Sequence, residues 1–187
     1  MATLGAALAG SGGLQPVRPS GSGGWSLERF GGDATILRTA VPFATRGDPG
    51  SLILSCGSDR RRLTLTVPPE AWARFDGAGP ANLLFRALGP DPSMAPFVVA
   101  RGALTAAHTL IVTETGPPVH SPIVGFVGLL LVRPIAIDML LHTGGRPIRL
   151  RQLTAVRLPL SSGPDDEAAF RDFIRACTEA RGTRWRP

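Results

Sequence analysis

Three histidines are the residues best suited to acid–base or metal chemistry in this sequence. They are His108, His120 and His142, and none stands at a metal-ligand spacing to a second histidine or to a cysteine. Zinc and other transition metals need several such ligands, usually supplied at short and regular spacings. We therefore expect no bound metal, and no other cofactor motif is present in the sequence.

A hydrolase is the enzyme class for which the residues offer a partial pattern. Asp138 and His142 could form a catalytic triad with one of the serines. The Gly-x-Ser-x-Gly turn that exposes a nucleophilic serine is absent, and the glycines of 21–24 lack the Lys-Ser/Thr pair of a phosphate-binding loop. We therefore predict that the protein is not an enzyme and that His142 lies at a strand end.

Positive charge is the next feature that could do chemistry. All 20 basic residues are arginine, the net charge is +6, and the only cluster is Arg60, Arg61 and Arg62. This cluster fits a solvated turn between two apolar strands, which we favour, or a patch for phosphate or an acidic partner. Proteins that bind nucleic acid concentrate charge on one face and offer aromatic rings to bases, and only 6% of this chain is aromatic.

Two cysteines define a possible covalent link. Cys56 closes an apolar strand and Cys177 lies in the last turns of a C-terminal helix. If they pair, the disulfide closes a loop of more than 100 residues and contributes about 5 kcal/mol on the chain-entropy view, in an oxidising compartment. If they remain free, both are small buried apolar residues.

Short apolar runs separated by glycine, proline and aspartate begin at Trp25, which we expect to be an anchor in the core or at its edge. Several runs alternate with a period of two, as half-buried strands do. The predicted strands are 25–30, 34–41, 52–56, 63–67, 82–88, 97–100, 109–113, 135–141 and 148–156. Their regular spacing predicts an antiparallel β-sandwich or a partly open barrel.

One internal segment has a different texture. Ser121 and Pro122 supply an N-cap and a proline at the first helical position, and 123–132 is continuously apolar. Ten residues are too few to span a bilayer, so we predict a short buried helix. Gly125 and Gly128 weaken a helix, which leaves a strand as the alternative.

The C-terminal region predicts a second, amphipathic helix. Acidic residues precede it, where the helix dipole favours negative charge, and Gly182 is expected to end it. Its apolar face comprises Ala169, Phe170, Phe173, Ile174 and Cys177. The predicted class is therefore α+β, mainly β, with one short internal helix and a packed C-terminal helix.

The first 24 residues are rich in Gly, Ala, Ser and Pro and predict a disordered leader. Ala7-Leu8-Ala9 has the small-x-small form of a signal-peptidase site, although the basic start of a signal peptide is missing. The segment is either a signal-peptide remnant or a featureless tail. We predict a single β-rich domain over 25–182, followed by a tail at 183–187.

The order of landmarks resembles accessory proteins of type VI secretion. In this chain the matching features are Trp25, 52–56, 63–67, 84–86, 123–131, 135–153 and 170–177. The invasion-associated locus B family is similar in its opening tryptophan and closing helix, although its usual cysteine after the tryptophan is absent here. Either resemblance implies an exported, non-enzymatic, β-rich domain that works through protein contacts.

These features lead to two functional hypotheses. The first is a non-catalytic periplasmic or secreted module that binds another protein through the sheet face or edge that the helices leave uncovered. The alternative is an anion-binding module that uses arginine against nucleic acid or a lipid surface. A cytoplasmic location, with reduced cysteines, is the alternative to export.

Overall fold

In the residues that it describes, the computed structural model of the chain contains nine antiparallel strands and two α-helices. It describes residues 24–30, 34–41, 49–57, 60–68, 78–89, 95–132, 134, 136–143, 146–148 and 163–179. The elements are β1 (Ser26–Phe30), β2 (Ala34–Val41), β3 (Gly50–Cys56), β4 (Arg61–Thr66), β5 (Gly79–Leu88), β6 (Phe97–Leu104), β7 (Thr109–Glu114), α1 (Pro122–Leu131), β8 (Ala136–Thr143), β9 (Arg146–Ile148) and α2 (Pro164–Glu179), with a 3-10 turn at Pro118–His120.

The strands form one curled sheet in the order β1-β2-β3-β4-β7-β6-β5-β8-β9. Every neighbouring pair is antiparallel. The predicted α+β class, mainly β, is confirmed, and of the two predicted architectures the partly open barrel is the one formed. Side chains alternate across the sheet, so every second residue of β3 is buried on its inner face.

Helix α1 lies on the inner face against β6, and its apolar sequence is buried on several sides. Ser121 accepts a hydrogen bond from the Val124 amide at 3.2 Å, and Pro122 occupies the first turn. The predicted short helix is therefore confirmed over the strand alternative. The sheet curls around this helix, which explains why α1 needs almost no polar face.

Trp25 joins the two helices. Only 5% of it is exposed, and its ring lies 5.4 Å from Phe170 of α2 in an edge-on arrangement and 6.3 Å from Phe126 of α1. Phe126 in turn stacks on Phe85 of β5, with the ring centroids 3.9 Å apart. The tryptophan that opens the first strand is thus part of the core.

Helix α2 packs on the inner face against the first three strands through its predicted face. Phe170, Phe173 and Cys177 are buried, and Ala169 and Ile174 pack against them. Residues 1–23 of the leader, Gly182, the tail at 183–187 and most of the predicted strand 148–156 lie outside the described residues.

Strand β6 is longer than predicted. The sequence predicts a strand at 97–100, and the structure extends it to Leu104 because β5 begins earlier, at Gly79, and pairs with those residues. Leu104 is directly opposite Gly79.

Candidate functional site

The three consecutive arginines do not form one exposed patch. Arg61 is the first residue of β4 and faces the inside of the sheet, where 2% of it is exposed, whereas Arg60 and Arg62 are exposed. The reason is the two-residue period of a strand, which sends neighbouring side chains to opposite faces. Of the predicted anion patch, only Arg60 and Arg62 are exposed, and anion binding there stays a prediction.

Arg61 belongs to a buried polar cluster that holds the start of α1. Its Nε donates to Glu114 Oε2 at 3.4 Å, and its Nη2 donates to the carbonyl oxygen of Gly116. Glu114 also accepts from the Ser121 hydroxyl and, at 3.1 Å, from the Ile123 amide. The cluster therefore anchors the helix N-terminus to β4 and β7 and has a structural role.

Cys56 and Cys177 are joined as a disulfide, with their Cα atoms 5.4 Å apart. The two residues are separated by 121 positions, and both are buried. Cys56 ends β3 directly opposite Arg61, so the link attaches the last turn of α2 beside the buried cluster. Of the two alternatives left open by the sequence, the structure contains the paired form.

The histidines lie on different elements. His108 is in the turn between β6 and β7, with a left-handed backbone (φ 58°), and exposed His120 is in the 3-10 turn that follows β7. Within the described residues, no group of three or more His, Cys, Asp or Glu side chains could hold a metal ion.

Asp138, the acid of the imagined triad, forms an ion pair across two strands. Its carboxylate accepts from Arg86 Nη2 at 3.0 Å, and the two residues are directly opposite on β8 and β5. His142 is on β8 as well, opposite Asn82. The observed arrangement gives Asp138 a pairing role between strands.

The sheet has an incomplete seam between β6 and β7. β6 pairs with β5 along eight residues, but it pairs with β7 only at Ala103 and Leu104. The strands approach closely at Gly102, where a Cβ would overlap the carbonyl oxygen of Ile111 and lie 2.9 Å from Val112 Cγ2. A glycine inside a strand marks this kind of close backbone approach.

N-terminal to Gly102, the backbone of β6 faces the seam and has no paired strand on that side among the described residues. The Thr105 amide donates to the Thr109 carbonyl at 2.9 Å, so the backbone groups of Thr105 point towards β7. Because these directions alternate along an antiparallel strand, the amides and carbonyls of Phe97, Val99 and Arg101 point the same way. We call these three residues the open edge.

The side chains of the open edge are on the outer face of the sheet. Phe97 is 65% exposed, Val99 is 40% exposed, and Arg101 is also exposed. In the described part of the chain, the same three residues thus combine exposed side chains with a backbone that has no partner strand on the β7 side. Together they form a ready template for an added strand.

A second cation lies across the seam. Arg62 of β4 is exposed on the outer face, directly opposite Thr113 of β7. Continuing the register that pairs Ala103 with Ile111 would place Thr113 opposite Arg101. In the part of the chain that the structure describes, neither arginine has an acidic partner, so two uncompensated positive charges flank one end of the open edge.

The sequence shows the alternating residues of β6 but does not show the open edge. The edge depends on which strand lies beside β6 and where that pairing stops. Gly102 was the one available signal, because an interior glycine in an alternating strand indicates a bend or a close approach.

Comparison with known proteins adds no relative. A scan against models of protein families, a search of curated proteins and a search of solved structures each find no match. Among the helices of the described residues, none has the length and hydropathy needed to cross a membrane.

Proposed function

We propose that this protein is a non-catalytic accessory module, exported to the periplasm or secreted, that binds another protein by strand addition at its open edge. The observation that carries the proposal is the backbone of Phe97, Val99 and Arg101, which lacks a partner strand on the β7 side among the described residues, beside their exposed side chains. Main-chain hydrogen bonds supply affinity in this binding mode, and the alternate side chains supply specificity.

Export is supported by the link between Cys56 and Cys177, because disulfides persist in oxidising compartments and are rare in the cytosol. The resemblance to type VI secretion accessory proteins and to the invasion-associated locus B family agrees with this location. Both families consist of exported proteins that work through protein contacts.

Export is tested by the redox state of the two cysteines in the cells that make the protein. Thiols are blocked during lysis, and the intact mass is measured before and after reduction. The proposal expects alkylation of Cys56 and Cys177 only after reduction. Alkylation without reduction would place the protein in a reducing compartment and overturn export while leaving strand addition open.

Protein binding is tested by selecting ligands for the oxidised protein from a displayed library of peptides. Selection is carried out in about 0.5 M sodium chloride, because contacts to phosphate weaken steeply with salt and contacts made by main-chain hydrogen bonds do not. The proposal expects selected peptides to compete with one another for a single site. A library that yields no salt-resistant ligand would overturn it.

The alternative, an anion-binding module, is favoured by exposed Arg60, Arg62 and Arg101 and by the net charge of +6. Its test is binding to single-stranded DNA and to anionic lipid vesicles at low salt. Binding that falls linearly on a logarithmic salt scale would favour this alternative. Failure to bind either polyanion at low salt would remove it.

A further inference from the structure

We infer that the open edge binds an extended segment in which an acidic residue is followed, or preceded, by two apolar residues at alternate positions. This inference rests on the proposed function and names the chemistry of its ligand. The segment would lie beside β6 as an added strand, with its acidic side chain next to Arg101 and its apolar side chains next to Val99 and Phe97.

The pattern follows from the alternation of the open edge. An added strand that pairs with β6 places every second side chain on the outer face of the sheet, in line with Phe97, Val99 and Arg101. Apolar side chains of the added segment, placed opposite the exposed Phe97 and Val99, bury the most apolar surface. Opposite Arg101, with Arg62 across the seam, a carboxylate compensates the charge.

The pairing of β6 with β7 fixes the position of the acidic residue. Ala103 and Leu104, which follow Gly102, already pair with β7, so an added strand cannot pair with them. An added strand therefore extends from Arg101 towards Phe97, and the carboxylate occupies the end nearest the closed seam. A strand antiparallel to β6 reads acidic-x-apolar-x-apolar, and a parallel strand reads apolar-x-apolar-x-acidic.

The outer edge of the sheet at β1 does not offer the same chemistry. Its charged residues are already compensated within the chain, since Glu28 accepts from Arg38 and Arg29 donates to Asp172 of α2 at 2.9 Å. Charged side chains of this kind protect an edge strand against further pairing. The open edge of β6 instead combines exposed apolar side chains with Arg101, which has no acidic partner among the described residues.

The test uses fluorescence anisotropy with labelled peptides and the oxidised full chain. The two probe peptides alternate threonine with one glutamate and two valines, one with the glutamate first and the other with it last. We expect one order to bind in about 0.15 M salt and the peptide with glutamine in place of glutamate to bind at least about fivefold more weakly. N-methylation should weaken binding by at least about tenfold because it removes main-chain donors. The donors that face β6 are the valine amides in an antiparallel peptide and the threonine amides in a parallel one, so the methyl groups are placed accordingly.

Protein variants locate the site. Val99→Pro removes an amide that points into the seam and keeps the pairing with β5, so binding should be lost while the fold is retained. The double variant R62Q/R101Q should weaken binding about fivefold or more. The matched control R171Q/R175Q removes the same charge from exposed positions on α2, and binding should change by less than about twofold.

Several outcomes would overturn the inference. One is binding that is equal for the glutamate and glutamine peptides, or that is weakened equally by both arginine double variants. Another is displacement of the peptide by an oligodeoxythymidine of the same net charge, which would indicate that the arginines bind nucleic acid. If neither peptide binds while the displayed library yields other salt-resistant ligands, the pattern is wrong and the proposed function stands.

A self-associating chain is the remaining outcome. Sedimentation that shows a dimer in wild type and a monomer in Val99→Pro would assign the open edge to a second copy, and would overturn the peptide inference. If Val99→Pro does not fold, the N-methylated peptides decide the question, because they leave the protein unchanged.

Discussion

The ion pair between Arg61 and Glu114 holds two charges where water has little access. Their side chains are 3% and 12% exposed. Removing charges from water is costly, and the cost is offset here because Gly116, Ser121 and Ile123 provide further hydrogen bonds. Such a cluster adds little net stability when complete, but it destabilises the fold strongly when one partner is removed.

Arg61→Met should therefore lower the free energy of unfolding by about 3–5 kcal/mol, because Glu114 would remain as an uncompensated buried charge. Guanidinium chloride unfolding, followed by far-UV circular dichroism, measures the change. Arg62→Met is the matched control, since Arg62 is the exposed neighbour and should change stability by less than about 0.5 kcal/mol. Similar losses for both variants would contradict a buried role for Arg61.

Gly102 is a residue whose replacement tests the close approach of β6 and β7. Gly102→Ala should destabilise the protein by about 1–3 kcal/mol, because the added Cβ would overlap the Ile111 carbonyl. Gly128→Ala in α1 is the control: apart from the chain neighbours and the backbone of the helix itself, no atom lies within 4 Å of the added Cβ, so the helix should gain about 0.5–1 kcal/mol. Urea unfolding measures the change in the free energy of unfolding of each variant, which should be a loss for Gly102→Ala and a gain for Gly128→Ala. A stable Gly102→Ala would mean that β6 and β7 do not approach closely there.

At the level of elements, α1 shows how a short apolar segment becomes a helix. Its ten residues contain two glycines, and the segment would be a poor helix in isolation. Ser121 caps the first turn, Pro122 suits its geometry, and Glu114 accepts the Ile123 amide. The helix is therefore stabilised by its N-terminal contacts and by burial inside the curled sheet.

Helix α2 gives the third prediction, since its packing depends on one apolar face. Phe170→Ala should lower the free energy of unfolding by about 3–5 kcal/mol, because Phe170 is fully buried against Trp25. Arg171→Ala, on the exposed face of the same helix, should change it by less than about 0.5 kcal/mol. Thermal or chemical unfolding compares the two. Equal changes in the free energy of unfolding for the two variants would indicate that α2 does not pack on the sheet through this face.

For the whole molecule, the disulfide joins the final helix to the third strand across most of the described chain. The double variant C56A/C177A should be less stable than the oxidised protein by about 3–5 kcal/mol, because the link restricts a long loop in the unfolded chain. It should still fold, since the buried core is large enough without it.

The measurement for the disulfide is unfolding by guanidinium chloride with and without a reducing agent. The wild type should lose stability on reduction, and the double variant should not respond. Equal stability of the reduced and oxidised wild-type protein would contradict a stabilising role for the link.

The parts of the fold that sequence reasoning predicted correctly depend on neighbouring residues. The cap at Ser121 and the spacing of Phe170 and Phe173 mark the helices, and alternation marks β3 and β4. The run of three arginines predicts a turn or an exposed patch for Arg61, which is buried in the structure. Its partner Glu114 is 53 positions away, and no local pattern indicates that distance.

The amino-acid sequence alone determined the class of the fold and the apolar face of α2, since hydrophobic periods act over a few residues. Tertiary structure alone decided that β4 lies beside β7, that β5 lies between β6 and β8, and that the ladder stops at Ala103. These outcomes depend on how the sheet curls around the two helices, because that curvature buries apolar residues that are far apart in the sequence. The open edge and the burial of Arg61 follow from this arrangement of the strands.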